Sequence, residues 1–178
     1  MTDKIKTLFA ILIFFLSLTM PMTGLIYGMG RWDALTILLV MGGIFVVLFA
    51  GGTLILLTVE NFTWMTASLP FLFSGLYTVL PDVPGSIDDA AVTSAGALIT
   101  YFFALRRNAS TPKWIIIPLL LAAVYTLLGG TIPGPIDEVA VDVIALLVAG
   151  YGVRAADQKA ELEEITADSD HTPPFDEE

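Results

Sequence analysis

The chain has 178 residues, of which 56% are hydrophobic and only 15% are charged, whereas a soluble domain is nearer a quarter charged. The net charge of −10 opposes nucleic-acid binding, and the lack of Cys excludes disulfides, thiolate metal sites and Cys nucleophiles. The single His, His171, lies in the polar C-terminal segment, so a His-dependent catalytic site is not expected. We therefore expect an all-α polytopic membrane protein that is not an enzyme.

Six apolar runs follow one another along the chain, and each is predicted to be a transmembrane helix. The runs lie at 7–27, 34–59, 64–80, 90–105, 114–128 and 139–151. Residues 1–153 are therefore predicted to form a helical bundle of three hairpins, at 7–59, 64–105 and 114–152. In the second run, the pairs Gly42-Gly43 and Gly51-Gly52 would let a neighbouring helix approach closely.

The last part of the chain, 154–178, is predicted to be an acidic tail. Residues 154–165 are rich in Ala, Glu and Leu and could extend the last helix. Residues 166–178 hold two prolines and a run of acids, which is typical of disorder. A solvated tail and a docking segment for a basic partner are both compatible with this composition.

One short motif occurs twice, at a spacing of roughly 48–49 residues, which indicates an internal repeat. The first copy, 84–89, reads PGSIDD, and the second, 133–138, reads PGPIDE. A Tyr-Thr pair and an apolar run precede each copy, and another apolar run follows it. The pattern predicts two parallel helical-hairpin repeats related by an axis along the membrane normal. A weaker echo at 30–33 suggests that the first hairpin is a third repeat.

The motif has a structural explanation as a turn that leads into a helix. Pro84 and Pro133 end the incoming helix or hold the turn extended. Gly85 and Gly134 supply unusual backbone dihedral angles. Pro135 suits a helix start, where its missing N–H costs nothing. The acids that follow then lie in a first helical turn, where the helix dipole favours negative charge.

The same acids also allow a functional interpretation. On one face of the membrane they would form a crowd of carboxylates, which Ca²⁺ or Mg²⁺ uses as ligands and which would attract cations to a pore. The ion-binding candidates at the tips are Asp82, Asp88, Asp89, Asp137 and Glu138, with Asp33 added from the first hairpin.

Asp142 is the remaining ion-binding candidate, and it lies inside the sixth apolar run, one turn beyond Glu138. An acid within a membrane span is costly and is by default a hypothesis of function. A proton or ion role, a hydrogen bond to a hydroxyl of another helix, and a shallow wet position all explain it. Thr93 occupies the corresponding place in the first repeat, and the hydroxyl-bearing stretch at 93–101 offers partners.

The basic residues predict the orientation. With six spans and a cytoplasmic N-terminus, all eight Lys and Arg residues except Arg31 fall on the cytoplasmic side. Both termini then face the cytoplasm, or the equivalent inner side of a viral envelope. Both copies of the repeated motif face outward.

The first copy of the motif also resembles a known family. Leu80-Pro81-Asp82, then Pro84, then GSIDD at 85–89 are similar to the signature of the YkvA-like family of small membrane-associated proteins of unknown function. The second copy keeps Ile132-Pro133 and the segment 134–138. The resemblance implies an acidic hairpin bend and no assigned activity.

Two functions are compatible with these patterns. The first is a structural or assembly component of a membrane or membrane complex, whose partners are the lipid bilayer and a second copy or another membrane protein. The second is a small cation channel or transporter that uses the acidic tips and Asp142. No cofactor is expected apart from Ca²⁺ or Mg²⁺ at the tips.

Overall fold

A computed structural model describes residues 2–28, 30–79, 87–128 and 136–169, and within these ranges it is all-helical without strands. The helices are α1 (Asp3–Gly28), α2 (Ala34–Leu57), α3 (Trp64–Ala67), α4 (Leu69–Tyr77), α5 (Ile87–Arg107), α6 (Ile116–Leu127) and α7 (Ile136–Ser169). A single 3-10 turn, Lys113–Ile115, leads into α6. The predicted all-α class is confirmed.

Three of the described helices are long and apolar enough to cross a membrane. They are Asp3–Gly28, Leu35–Leu57 and Ile136–Thr166. Lys113–Leu127 is apolar but shorter. The predicted count of six spans therefore stays a prediction.

The third apolar run, predicted as one helix, is divided into α3 and α4 at Ser68. Pro70 explains the division, because its ring crowds the carbonyl four residues earlier and it has no N–H to donate. Pro70 falls in the first turn of α4, where the lost donor costs least. The next N–H, that of Phe71, donates to Thr100 Oγ1 on α5 at 3.0 Å.

Helices α1 and α2 pack along each other in opposite directions. Phe14 meets Gly52 near the middle of the pair, while Lys6, nearer the start of α1, donates to the carbonyl of Thr58 at 2.6 Å. A Cβ on Gly52 would lie 2.9 Å from the Phe14 ring, so this glycine permits the close approach predicted for it. Gly42 and Gly43, by contrast, have no neighbour within 4 Å of where a Cβ would stand.

The remaining long helices form a closed ring. Helix α4 packs on α5, α5 on α6, α6 on α7, and α7 returns to α4. The first pair docks on this ring through α1 and α4, where the Phe14 and Phe73 rings stack with centroids 5.2 Å apart. Because the ring is closed, each of its helices turns one face inward, away from the surroundings of the molecule.

Basic side chains tie the helices together at one end of the bundle. Arg106 Nη1 donates to the carbonyl of Leu57 at 2.6 Å, which satisfies a free carbonyl at the C-terminus of α2. Arg107 donates to the carbonyl of Phe62 at 2.9 Å and pairs with Asp157 on α7 at 2.6 Å. The basic residues of the predicted cytoplasmic side therefore include several that hold α2, α5 and α7 in place.

Helix α7 continues well beyond the apolar bundle, to Ser169. The Ala, Glu and Leu content of 154–165 sustains the helix, and Lys159 and Glu163 lie 3.7 Å apart one turn from each other. The helix runs a further turn, over 166–169, into the segment predicted to be disordered. Residues 170–178 of that segment lie outside the described ranges.

We expect Gly52→Ala to destabilise the fold by about 1–3 kcal/mol, because the new methyl group overpacks the contact with Phe14. Gly43→Ala is the matched control on the same helix, and its open surroundings should leave stability unchanged or raised by up to about 1 kcal/mol. Unfolding of both variants in detergent measures the difference. Equal effects at the two positions would contradict the described packing of α1 on α2.

A double-mutant cycle on Arg107→Gln and Asp157→Asn should give a coupling energy of about 1 kcal/mol, since both side chains are only partly exposed. The measurement is the free energy of unfolding of the two single variants and the double variant. Lys159 and Glu163, which are exposed, form the control pair and should couple less. Additive effects of Arg107→Gln and Asp157→Asn would argue against this link between α5 and α7.

Candidate functional site

The structure divides the sequence-predicted site residues into two groups. Asp88 and Asp89 lie in the first turn of α5, and Asp137 and Glu138 in the first turn of α7, as the structural interpretation expects. The candidates outside the described ranges are Asp82, Pro84, Gly85, Pro133, Gly134 and Pro135.

The tip acids have local roles where their surroundings are described. Tyr125, at the end of α6, donates its hydroxyl hydrogen to Asp137 Oδ2 at 2.8 Å, which links α6 to the start of α7. Among the described residues no group of three or more His, Cys, Asp or Glu side chains is placed to hold a metal ion. Since Asp82 lies outside these residues, the Ca²⁺ or Mg²⁺ site predicted at the tips stays a prediction.

Asp33, the acid of the first hairpin, caps α2. Its carboxylate accepts hydrogen bonds from the Thr36 backbone N–H and the Thr36 hydroxyl, both at 2.8 Å. These bonds, the backbone one first, lower the pKa of Asp33 below its usual value. The cap is therefore fully present at neutral pH and is lost as the pH falls through this lowered pKa.

The ring of α4 to α7 has a polar interior. Its buried polar side chains are Ser74, Thr78, Asp89, Thr93, Thr100, Thr126 and Asp142. Several hydroxyls bond to carbonyls of their own helix, as Ser74 does to Phe71 at 2.8 Å and Thr126 to Ala122 at 3.2 Å. Such bonds satisfy the hydroxyl without linking two helices.

Asp142 is the acid placed deepest among these helices, and its side chain is only 5% exposed. Its carboxylate lies directly against Gly75 of α4, where a Cβ would overlap Oδ2 and stand 2.9 Å from Cγ. Neither carboxylate oxygen has a hydrogen-bond partner among the described residues. Buried polar atoms are nearly always paired, so this carboxylate requires an explanation.

Thr93 of α5 is also a buried residue with an unsatisfied polar atom. It is fully buried, and its Oγ1 has no partner in the described part of the chain. Thr93 lies about one turn from Gly96, which contacts Ser74, the neighbour of Gly75. Asp142 and Gly96 thus contact adjacent residues of α4, and Thr93 is about one turn from Gly96. Thr93 and Asp142 therefore lie at a similar level along the bundle. The hydrogen bond that sequence reasoning offered for Asp142 is not formed among the described residues. The Thr100 hydroxyl accepts from the Phe71 N–H.

Asp142 also lacks a counter-charge. Helices α4 and α6 carry no basic residue, and the nearest one on α7, Arg154, is more than three turns away, roughly 18 Å along the axis. Arg106 and Arg107 of α5 lie at its far end, and the charge nearest along α7 is that of Glu138, which repels a second anion. The described residues thus leave a buried acid without a cation of the protein beside it.

Gly75 is a residue that sequence reasoning missed. The motif search emphasised the two tips and the glycine pairs of α2, and nothing local marks Gly75 as the contact of an acid 67 positions later. A glycine facing an acid becomes visible only when two distant helices are packed. Gly96, against Ser74, is a second case.

No protein-family model, curated protein or solved structure matches this chain. The resemblance to the YkvA-like family therefore stays a prediction that depends on the motif at 80–89.

We expect Gly75→Ala to destabilise the protein by about 1–3 kcal/mol, because the methyl group and the Asp142 carboxylate need the same space. In an Asp142→Ala background this space is free, and Gly75→Ala should then cost much less. Unfolding of the two single variants and the double variant provides the measurement. A penalty that is unchanged without the carboxylate would show that Gly75 and Asp142 do not meet.

Tyr125→Phe should cost about 1 kcal/mol, because it removes the hydrogen bond to Asp137 and leaves the ring in place. Tyr151→Phe is the control, since Tyr151 is exposed on α7. Denaturant or thermal unfolding compares the two. A Tyr125→Phe variant as stable as the control would remove this link between α6 and α7.

Proposed function

We propose that the chain is an integral membrane protein with six spans, built as two parallel hairpin repeats with the first hairpin as a third. The observation that carries the proposal is the distribution of polarity. Large apolar side chains are exposed on the outside of α1, α2, α6 and α7, among them Leu8, Val47, Leu121 and Leu147. Polar side chains are buried between α4 and α7. A lipid bilayer accommodates such a surface, whereas water does not.

The closed ring supports the proposed repeat. The pair α4 and α5 and the pair α6 and α7 each place an apolar helix before a helix that starts with two acids. Thr93 and Asp142 occupy corresponding positions in the second helix of each pair, and both are buried. Two repeats related by an axis along the membrane normal would give these features.

Within this class we favour a non-enzymatic structural or assembly role in a membrane or membrane complex. The surface of α2 around Gly42 and Gly43 supports this role, because it is apolar and open and a neighbouring helix could pack closely there. The polar interior supplies hydroxyls and carboxylates without a nucleophile paired to a base among the described side chains.

A small cation channel or transporter is the second candidate. The observation that favours it is Asp142, a buried acid with two unsatisfied oxygens and no basic neighbour in the described helices. Ionisable residues inside membrane helices typically mark ion or proton pathways. The acids in the first turns of α5 and α7 would draw cations towards that end of the ring.

Cysteine labelling tests the membrane topology directly, because the natural chain has no Cys. In intact cells, a membrane-impermeant maleimide should label Ser86→Cys at the outward tip and should label Ser110→Cys, in the basic loop, only after permeabilisation. The six-span arrangement requires these two results together. Labelling of both positions from the same side would contradict it, and release of the protein from membranes by carbonate would contradict integration.

A further inference from the structure

We propose that Asp142 and Thr93 hold one Na⁺ ion inside the ring formed by α4 to α7. The inference rests on the membrane placement proposed above and deepens the second candidate function, because it names the ion and the residues that bind it. It does not require that the ion be transported.

The unsatisfied oxygens carry the inference. Asp142 Oδ1, Asp142 Oδ2 and Thr93 Oγ1 are three buried oxygens without a hydrogen-bond donor among the described residues. Leaving such atoms unpaired in a protein interior costs free energy for each of them, and most for a charged group. One bound cation would satisfy a carboxylate and a hydroxyl together, because alkali ions are hard acids that take oxygen ligands.

The charge balance selects a monovalent ion. The surroundings of Asp142 on its own helix contribute only negative charge, through Glu138 and Asp137, and the packed faces of α4 and α6 contribute none. A divalent ion normally gathers several carboxylates, and the described residues hold no cluster of that kind. Helix α5 adds a second buried acid, Asp89, in its first turn, and this acid has an interaction of its own. Asp142 is then left as one unpaired carboxylate, which one positive charge would match.

A metal ion explains the site better than a proton does. A protonated Asp142 would have to donate its hydrogen to an acceptor, and neither of its oxygens has a hydrogen-bond partner among the described residues. Protonation would also leave Thr93 Oγ1 unsatisfied. A cation bound between Asp142 and Thr93 would, in contrast, be a partner for all three oxygens.

The helix packing gives the carboxylate a defined place. Gly75 allows Asp142 to reach the backbone of α4, and the contact of Gly96 with Ser74 brings α5 close to the same part of α4. Thr93 is about one turn from Gly96 on the inward side of α5, a side it shares with Asp89 and Thr100. The binding residues thus belong to rigid helices, which suits selection between ions of different size.

Thermal unfolding of the purified full-length protein in detergent tests the proposal. NaCl is titrated against choline chloride at constant ionic strength, and KCl is titrated in parallel. An ion that binds only the folded state raises the midpoint temperature of unfolding in a saturable, concentration-dependent way. We expect Na⁺ to produce this rise and K⁺ to produce a smaller one.

Three variants locate the site. Asp142→Asn is nearly isosteric and should abolish the Na⁺-specific rise, and Thr93→Val should increase the half-saturating Na⁺ concentration about tenfold or more. Glu138→Gln removes the same charge one turn away and should keep the saturable rise. Binding of radioactive sodium to the immobilised protein gives a second readout that does not depend on how stable each variant is.

Several outcomes would overturn the proposal. One is a wild-type protein that responds equally to Na⁺, K⁺ and choline, and another is a Na⁺ response that survives in Asp142→Asn. If lowering the pH stabilises wild type as much as Asp142→Asn does, and sodium does not bind, Asp142 is a proton site and the Na⁺ assignment is wrong. The labelling experiment decides the membrane topology independently, so failure of the ion site and failure of the membrane placement are distinguishable.

Discussion

Close approach of helices at glycine is the constraint on which the rest of this structure depends. Gly52 receives the Phe14 ring, Gly75 the Asp142 carboxylate and Gly96 the Ser74 side chain. A Cβ on Gly150 would lie 2.5 Å from Trp64 Nε1. These contacts join α1 to α2, α4 to α7, α4 to α5, and α3 to α7. If the bundle spans a membrane, apolar burial no longer drives helices together, and packing at small residues takes its place.

The same packing determines where polar groups go. Ser68 and Pro70 interrupt the third apolar run, and the N–H of Phe71 is satisfied from α5 by Thr100. In this position the Thr100 hydroxyl does not bond the acid on α7. The carboxylate of Asp142 is consequently left against a glycine backbone with both oxygens unsatisfied, and this arrangement is what suggests a bound cation.

The two ends of the bundle have opposite chemistry. At one end Lys6 and Arg106 donate to the last carbonyls of α2 and Arg107 pairs with Asp157, so cations there stabilise a helix C-terminus and link helices. At the other end the first turns of α5 and α7 carry acids, which the helix dipoles favour. The helix dipoles thus favour the acids at the starts of α5 and α7 and the arginines in the last turn of α5.

The sequence by itself determined the all-helical class, the acids at the starts of α5 and α7, and Asp142 as the exceptional residue, because hydropathy and helix-start signals are local properties of the chain. It did not reveal the break at Ser68, since a helix can continue through a proline or end near it, depending on its neighbours. Nor did it reveal the length of α7, since an Ala- and Glu-rich segment is helical in some surroundings and not in others. Only the tertiary structure decided that Gly52 is packed while Gly43 is open, and that Gly75 meets Asp142. Each of these contacts depends on how two helices distant in sequence are rotated against each other, which no local pattern records.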